Sequence, residues 1–219
     1  IGMREVQTTH VMVVWNDTQI HPLGGRTLDQ IMENKRLCVA PLYRNERAEV
    51  VPTVLMPAFF RRSIRLIPAV PSRDGQLSLY PFDFVGIYDT EKFRSVGGYD
   101  PRIESPYWQK MDFGMRSYLW GESISCSTVF RVSATSAIES EETSPNIDYI
   151  RFFLKNVAIR FSGNSGKLPR RYLLKLFFRP GIGFLESIRE YKAARAWTQM
   201  HTFRFTQDAR RLLELWEEH

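Results

Sequence analysis

The chain is 219 residues long, 43% hydrophobic and 25% charged, a balance that excludes a disordered or fibrous polypeptide and leaves room for a proper core. Its net charge of +6 favours anionic partners such as nucleotide phosphates or an acidic membrane surface, while no nucleic-acid recognition motif accompanies the charge, so no nucleic acid is expected. The two cysteines, Cys38 and Cys126, sit in apolar, strand-like runs that suggest neither a disulfide framework nor a zinc site, so a reducing, cytoplasmic setting is expected. No apolar run of about 18 residues predicts a membrane-spanning helix, and no signal-peptide pattern is seen in the opening residues.

Residues 1–10 are predicted to be helical, running into a turn. Val11–Trp15 is a continuous apolar run, the pattern of a strand buried on both faces of a parallel-type sheet. It stops at Asn16-Asp17-Thr18. Open α/β sheets gather ligand-binding groups at the carboxyl ends of strands, which makes Asp17 a candidate; an Asx turn or a helix cap explains it equally simply. Thr27 suits the N-cap of a helix over Leu28–Lys35. Arg36–Pro41 follows as a strand closed by its proline, and this order fits a right-handed crossover. Val50–Phe60 is apolar with Pro52 and Pro57. Arg61, Arg62 and Arg65 then form a basic cluster that suits phosphates or an acidic glycan, or a solvated edge.

The stretch from Phe82 to Val132 is the most informative. Phe82–Tyr88 is predicted as a strand, with Gly86 marking a close approach. Gly97-Gly98 needs positive φ or close backbone contact, as any tight turn does. Asp112 is predicted to open a helix carrying Phe113, Met115, Tyr118 and Leu119, and Gly121 ends it before a polar-alternating strand. At a helix start, Asp112 suits either a general base or an N-terminal acid favoured by the helix dipole. Tyr107 and Trp108 suit stacking on a sugar or packing in a core.

The order Phe93, Gly97, Gly98, Tyr99, Asp100, Asp112, Arg116, Gly121 resembles the C-terminal half of a GT-A glycosyltransferase of the inverting family 2 type, or the related galactosyltransferase C-terminal domain. The resemblance covers roughly residues 1–132. It implies a nucleotide-sugar donor, a glycan or lipid-linked acceptor, and a divalent cation, manganese or magnesium, bridging the donor phosphates. Asp17 becomes the implied metal ligand, and Asn16, Asp17 and Arg131 the implied donor contacts. Asp112 becomes the implied general base, with Gly97, Gly98, Tyr107 and Trp108 near the acceptor. Three positions depart from the family pattern. Asn16-Asp17-Thr18 stands where the family has an Asp-x-Asp motif, Met111-Asp112 where it has Glu-Asp, and Arg131 where many members have a histidine. A guanidinium cannot ligate a cation but can neutralise a diphosphate directly. The loss of the glutamate before Asp112 removes one acceptor-binding group, while the departures at Asp17 and Arg131 imply weaker or absent metal dependence, or a degenerate centre. The resemblance further implies that the chain starts inside the fold, without the nucleotide-binding half.

From Glu139 the composition shifts. Residues 139–146 form an acidic linker. Ile147–Phe161 reads as an amphipathic helix, residues 162–167 as a turn. Arg170, Arg171, Lys175 and Arg179 alternate with apolar residues as in a basic helix that lies on an anionic membrane. Phe184–Trp216 reads as helical. The expected architecture is α/β: a mostly parallel GT-A-like sheet flanked by helices over residues 1–138, a linker at 139–146, and a C-terminal helical extension at 147–219. The expected activity is inverting sugar transfer to a hydroxyl of a glycan or lipid-linked acceptor. The alternative is a non-catalytic, degenerate GT-A-like module that binds a glycan or a protein partner.

Overall fold

The computed structural model describes residues 2–60, 63–138, 140–178 and 183–216. Backbone proximity divides them into two units, one of residues 2–98 with 122–140, the other of residues 99–121 with 141–216.

The first unit opens with a short helix α1 (Gly2–Glu5) and contains β1 (His10–Val13), β2 (Thr18–Ile20), helix α2 (Gly25–Glu33), β3 (Cys38–Arg44), β4 (Val54–Phe60), β5 (Ser63–Ala69), β6 (Gln76–Leu77), β7 (Gly86–Asp89), helix α3 (Thr90–Ser95) and β8 (Ile124–Ala134). The main sheet runs β1-β7-β3-β8-β2, with β6 added against β8. It is mixed, not mostly parallel as the sequence suggested: β3–β8 is parallel, whereas β1–β7, β3–β7, β2–β8 and β6–β8 are antiparallel. β4 and β5 form a separate antiparallel pair. The predicted Arg61–Arg62 cluster lies outside the described residues.

Several local expectations change for physical reasons. β1 is an edge strand whose four residues are only half-buried, so its apolar run is not covered on both faces. Trp15 leaves the strand, 47% exposed, and its indole donates to the Asp83 carbonyl at 2.9 Å. β3 does not stop at Pro41. The register against β8 shifts between Pro41 and Leu42, the kind of irregularity that accommodates a residue with no N–H. The predicted strand start at Phe82 is a 3₁₀ turn, Phe82–Phe84, with Asp83 and Phe84 at φ of +50° and +62°.

The core of this sheet gathers Ile31, Val39, Tyr43, Val85, Ile87, Phe130, Val132 and Ala134. Gly86 does mark a close approach: a Cβ there would stand 2.6 Å from Cys38 Sγ and 3.1 Å from the Val39 carbonyl. Cys38 and Cys126 are buried free thiols, as their apolar surroundings imply. Burial pushes Cys126 up to about 12 and raises Cys38 well above its ordinary value.

The second unit contains α4 (Pro106–Leu119), α5 (Ile147–Phe152), a π-helical turn (Phe153–Val157), the hairpin β9 (Arg160–Ser162) and β10 (Ser165–Lys167), then α6 (Arg171–Phe177), α7 (Phe184–Met200) and α8 (Ala209–Trp216). α4 begins six residues before Asp112, with Ser105 at the N-cap and Pro106 in the first turn. Proline is pre-organised for that position. Asp112 therefore sits inside the helix and not at its start. The predicted helix Ile147–Phe161 is interrupted. The Ala158 amide bonds to the Phe153 carbonyl five residues back at 2.8 Å, and Phe161 falls on β9. The β9–β10 turn uses Gly163 and Asn164 at φ of +59° and +56°, the left-handed pair that matches hairpin twist. The predicted helical tail divides into α7 and α8, with the Asp208 carboxylate accepting from the Arg211 amide at 3.1 Å where α8 starts. No helix among the described residues is long and apolar enough to cross a membrane.

Candidate functional site

In the second unit, α4 presents Asp112 to the π-helical turn. A π turn inserts one extra residue and re-aims the side chains around it. Here it brings Lys155 and Asn156 onto one carboxylate. Lys155 Nζ lies 3.3 Å from Asp112 Oδ1, and Asn156 Nδ2 donates to the same oxygen at 2.8 Å. Arg116, one helical turn along α4, reaches Asp112 Oδ2 at 2.7 Å. Lys155 also bonds Asp100 Oδ2 at 2.9 Å and lies 4.5 Å over the Trp197 ring. Asn156 presents its amide nitrogen because its oxygen would repel the carboxylate; among the described residues that oxygen has no partner.

Asp112 is fully buried. Burial by itself raises its pKa, but Lys155 and Arg116, with their hydrogen bonds and that of Asn156, outweigh it and hold the carboxyl at about 2. Two cations and an amide occupy its oxygens. In this arrangement Asp112 is a fixed anion that organises its neighbours and a weak proton acceptor near neutral pH.

Around this hub, Trp120 stacks on Trp197 at 5.7 Å and on His201 at 5.2 Å. His201 sits near Arg204, Arg116 and Lys155; burial first, then those cations, lower its pKa. Trp108 is 5% exposed, with its indole bonded to the Ser144 carbonyl at 3.2 Å. Its ring meets Tyr149 at 4.9 Å, Phe152 at 5.5 Å and Tyr107 at 4.7 Å. Those contacts are core packing and leave little ring face for a sugar. Tyr107 is half-buried, and burial followed by Glu141 raises its pKa.

The remaining predicted residues belong to the first unit. Gly97 and Gly98 end α3. Both adopt positive φ, +85° and +62°, and their amides bond to the Arg94 and Phe93 carbonyls at 2.9 Å each. They are a helix cap. Asn16 is exposed, and Asp17 occupies the turn between β1 and β2. The Asp17 carbonyl accepts from the Thr135 amide at 2.9 Å, and its carboxylate accepts from the Ser136 hydroxyl. Arg131 is exposed on β8, its guanidinium bonded to the Thr128 carbonyl at 2.9 Å. It lies three residues before the end of β8 at Ala134, roughly 10 Å back along the strand, and the Thr135 that meets Asp17 follows that end. The structure thus separates Arg131 from the Asp17 turn.

A hard divalent cation needs several oxygen ligands. Among the described residues no group of three His, Cys, Asp or Glu side chains stands close enough to hold one. Asp17 contributes one carboxylate, already bonded to Ser136, beside an amide and a hydroxyl. These residues do not fit a cation cage.

Sequence reasoning missed Lys155, Asn156 and Asp148. All three fall within Ile147–Phe161, read as one amphipathic helix, but off its apolar stripe; a Lys-Asn pair there was the available signal. No family model and no curated protein matches the chain. Among solved structures it is similar to GalNAc-T7 crystallised with UDP, GalNAc and Mn2+, with 14% identity, a TM-score of 0.56 and coverage of 91% of this chain. The chain spans 42% of the length of that structure. At that identity the likeness concerns the fold, which is a glycosyltransferase-like mixed α/β architecture.

Proposed function

We propose that this chain is the glycosyltransferase-fold part of an enzyme that moves a sugar from a nucleotide-sugar donor to a hydroxyl of a glycan or lipid-linked acceptor. The observation that carries the reading is the fold likeness over 91% of the chain to a glycosyltransferase solved with UDP and GalNAc. The exposed Arg131 guanidinium supplies the diphosphate contact, since it is always charged and needs no metal. Asp112 holds Lys155 and Arg116 in place as a positioning residue. The inverting displacement implied by the sequence resemblance requires the acceptor hydroxyl to lose its proton; with Asp112 held at about 2, that proton passes to another group or to water.

A second reading is favoured by the closed pairing of Asp112 and by the lone carboxylate at Asp17. It is a non-catalytic module that keeps the fold and holds a glycan or a protein partner. Calorimetric titration with UDP, with and without manganese, separates the two. UDP binding that weakens in Arg131→Ala and persists without manganese supports the first reading. No UDP binding under either condition supports the second.

A further inference from the structure

We propose that the α6–α7 corner of the second unit docks on an anionic lipid surface. On α6, Arg171, Leu174 and Lys175 are exposed and recur with Phe178 at the spacing that shares one helix face. The opposite side carries the buried Tyr172 and Leu176. Leu174 and Phe178 are 61% and 88% exposed, and at the start of α7 Phe184 and Leu185 are 61% and 80% exposed. The rings of Phe177 and Phe184 stack at 4.6 Å, which draws the end of α6 to the start of α7 and makes these side chains one surface. Four large apolar groups exposed together are more than the scattered apolar exposure of an ordinary surface.

Charge selects the occupant. Arg170, Arg171 and Lys175 are exposed at this corner, and among the described residues none has an ion-pair partner. Arg171 and Lys175 instead lie over the Tyr172 ring at 5.5 and 5.2 Å. The nearby acid, Glu186, is paired with Arg189 at 3.3 Å. Apolar side chains bracketed by unneutralised long cations fit a lipid interface: the apolar groups enter the acyl boundary while the aliphatic stems carry their charges out to the phosphates. A protein partner would need a matching apolar and acidic face. No helix among the described residues can cross a bilayer, so the contact lies on the membrane surface.

The test is co-sedimentation of the whole chain with phosphatidylcholine vesicles, with and without phosphatidylserine. The expected result is binding that requires phosphatidylserine and weakens as salt rises. Phe178→Ser with Leu185→Ser lowers the partition coefficient about tenfold, as does Arg171→Glu with Lys175→Glu. All four positions are exposed, so the variants keep the wild-type circular dichroism spectrum. Phe59→Ser with Phe60→Ser, on the separate β4–β5 pair, leaves binding unchanged. The proposal fails if the wild type stays in the supernatant with phosphatidylserine vesicles, or if the corner variants bind as well as the wild type. It also fails if the corner substitutions abolish a concentration-dependent dimer while vesicle binding is absent. None of these readouts involves UDP, so they stand apart from the catalytic reading.

Discussion

The Lys155 ammonium and the Asp112 carboxylate face each other at 3.3 Å, with side chains 7% and 0% exposed. Such a pair is retained at a cost in desolvation, and removing one member leaves the other charged group buried without compensation. Asp112→Asn is therefore expected to destabilise the chain by about 3 kcal/mol, because it takes the carboxylate from Arg116 and leaves Lys155 with Asp100 as its one remaining acid. Urea denaturation measures the loss. Lys155→Met added to Asp112→Asn should recover part of it, a coupling that a double-mutant cycle reads directly. A mild cost for Asp112→Asn, with loss of turnover, would return the residue to the role of base.

The same cluster sets an acid limit. The Asp112 pKa is depressed from 3.8 to about 2 in the folded chain. A depressed carboxylate contributes stability that is present above its unfolded value and is lost as pH falls through the folded one. Wild type should therefore lose about 2 kcal/mol between pH 4 and pH 2 from this group alone. The difference in melting temperature between wild type and Asp112→Asn should shrink across that window. A constant difference would mean that another group titrates there.

Much of the first unit was legible because its signals are local. An apolar run marked β3, polar alternation marked β8, and Gly86 announced a close approach that the Cys38 thiol and Val39 carbonyl confirm. Strand partners were not legible. The Val11–Trp15 run reads the same whether it is central or at an edge, and only long-range pairing decides between parallel and antiparallel neighbours. The start of α4 was written in Ser105-Pro106, but the apolar run after Asp112 drew the boundary too late. The candidate site depended on Lys155 and Asn156, some 40 residues after Asp112. Their inward aim comes from the π turn, and helical periodicity does not foretell that extra residue.

The glycines supply a test of the close contacts themselves. A Cβ at Gly98 would stand 2.8 Å from the Phe93 ring, at a φ of +62°. Gly98→Ala should cost about 1–3 kcal/mol from the backbone conformation, plus the clash. Phe93→Leu should relieve only the second part. Gly86→Ala, where the backbone is an ordinary strand, should lose stability through overpacking, mainly against Cys38 and less against the Val39 carbonyl, so Cys38→Ala should rescue the larger share of it. Equal rescue in both pairs would contradict the distinction.

The entry to α4 gives the last test. Ser105 occupies the N-cap position, yet its side chain makes no capping bond. Asp148 of α5 instead holds the two amides that lead into the helix. Its Oδ2 accepts from the Glu104 amide at 3.1 Å and the Ser105 amide at 2.8 Å, while Oδ1 meets Arg151 at 3.1 Å. The carboxylate is 4% exposed, so water cannot easily replace it. Asp148→Ala leaves two amides and Arg151 without this acceptor and should cost about 2–3 kcal/mol. Asp148→Asn keeps one acceptor oxygen and should cost less. Ser105→Ala should fall within about 0.5 kcal/mol of wild type, although Ser-to-Ala at a working N-cap costs about 1 kcal/mol. Hydrogen exchange locates the effect: the Glu104 and Ser105 amides should lose protection in Asp148→Ala and keep it in Ser105→Ala. Protection kept at both amides in Asp148→Ala would leave Asp148 as a partner of Arg151 only.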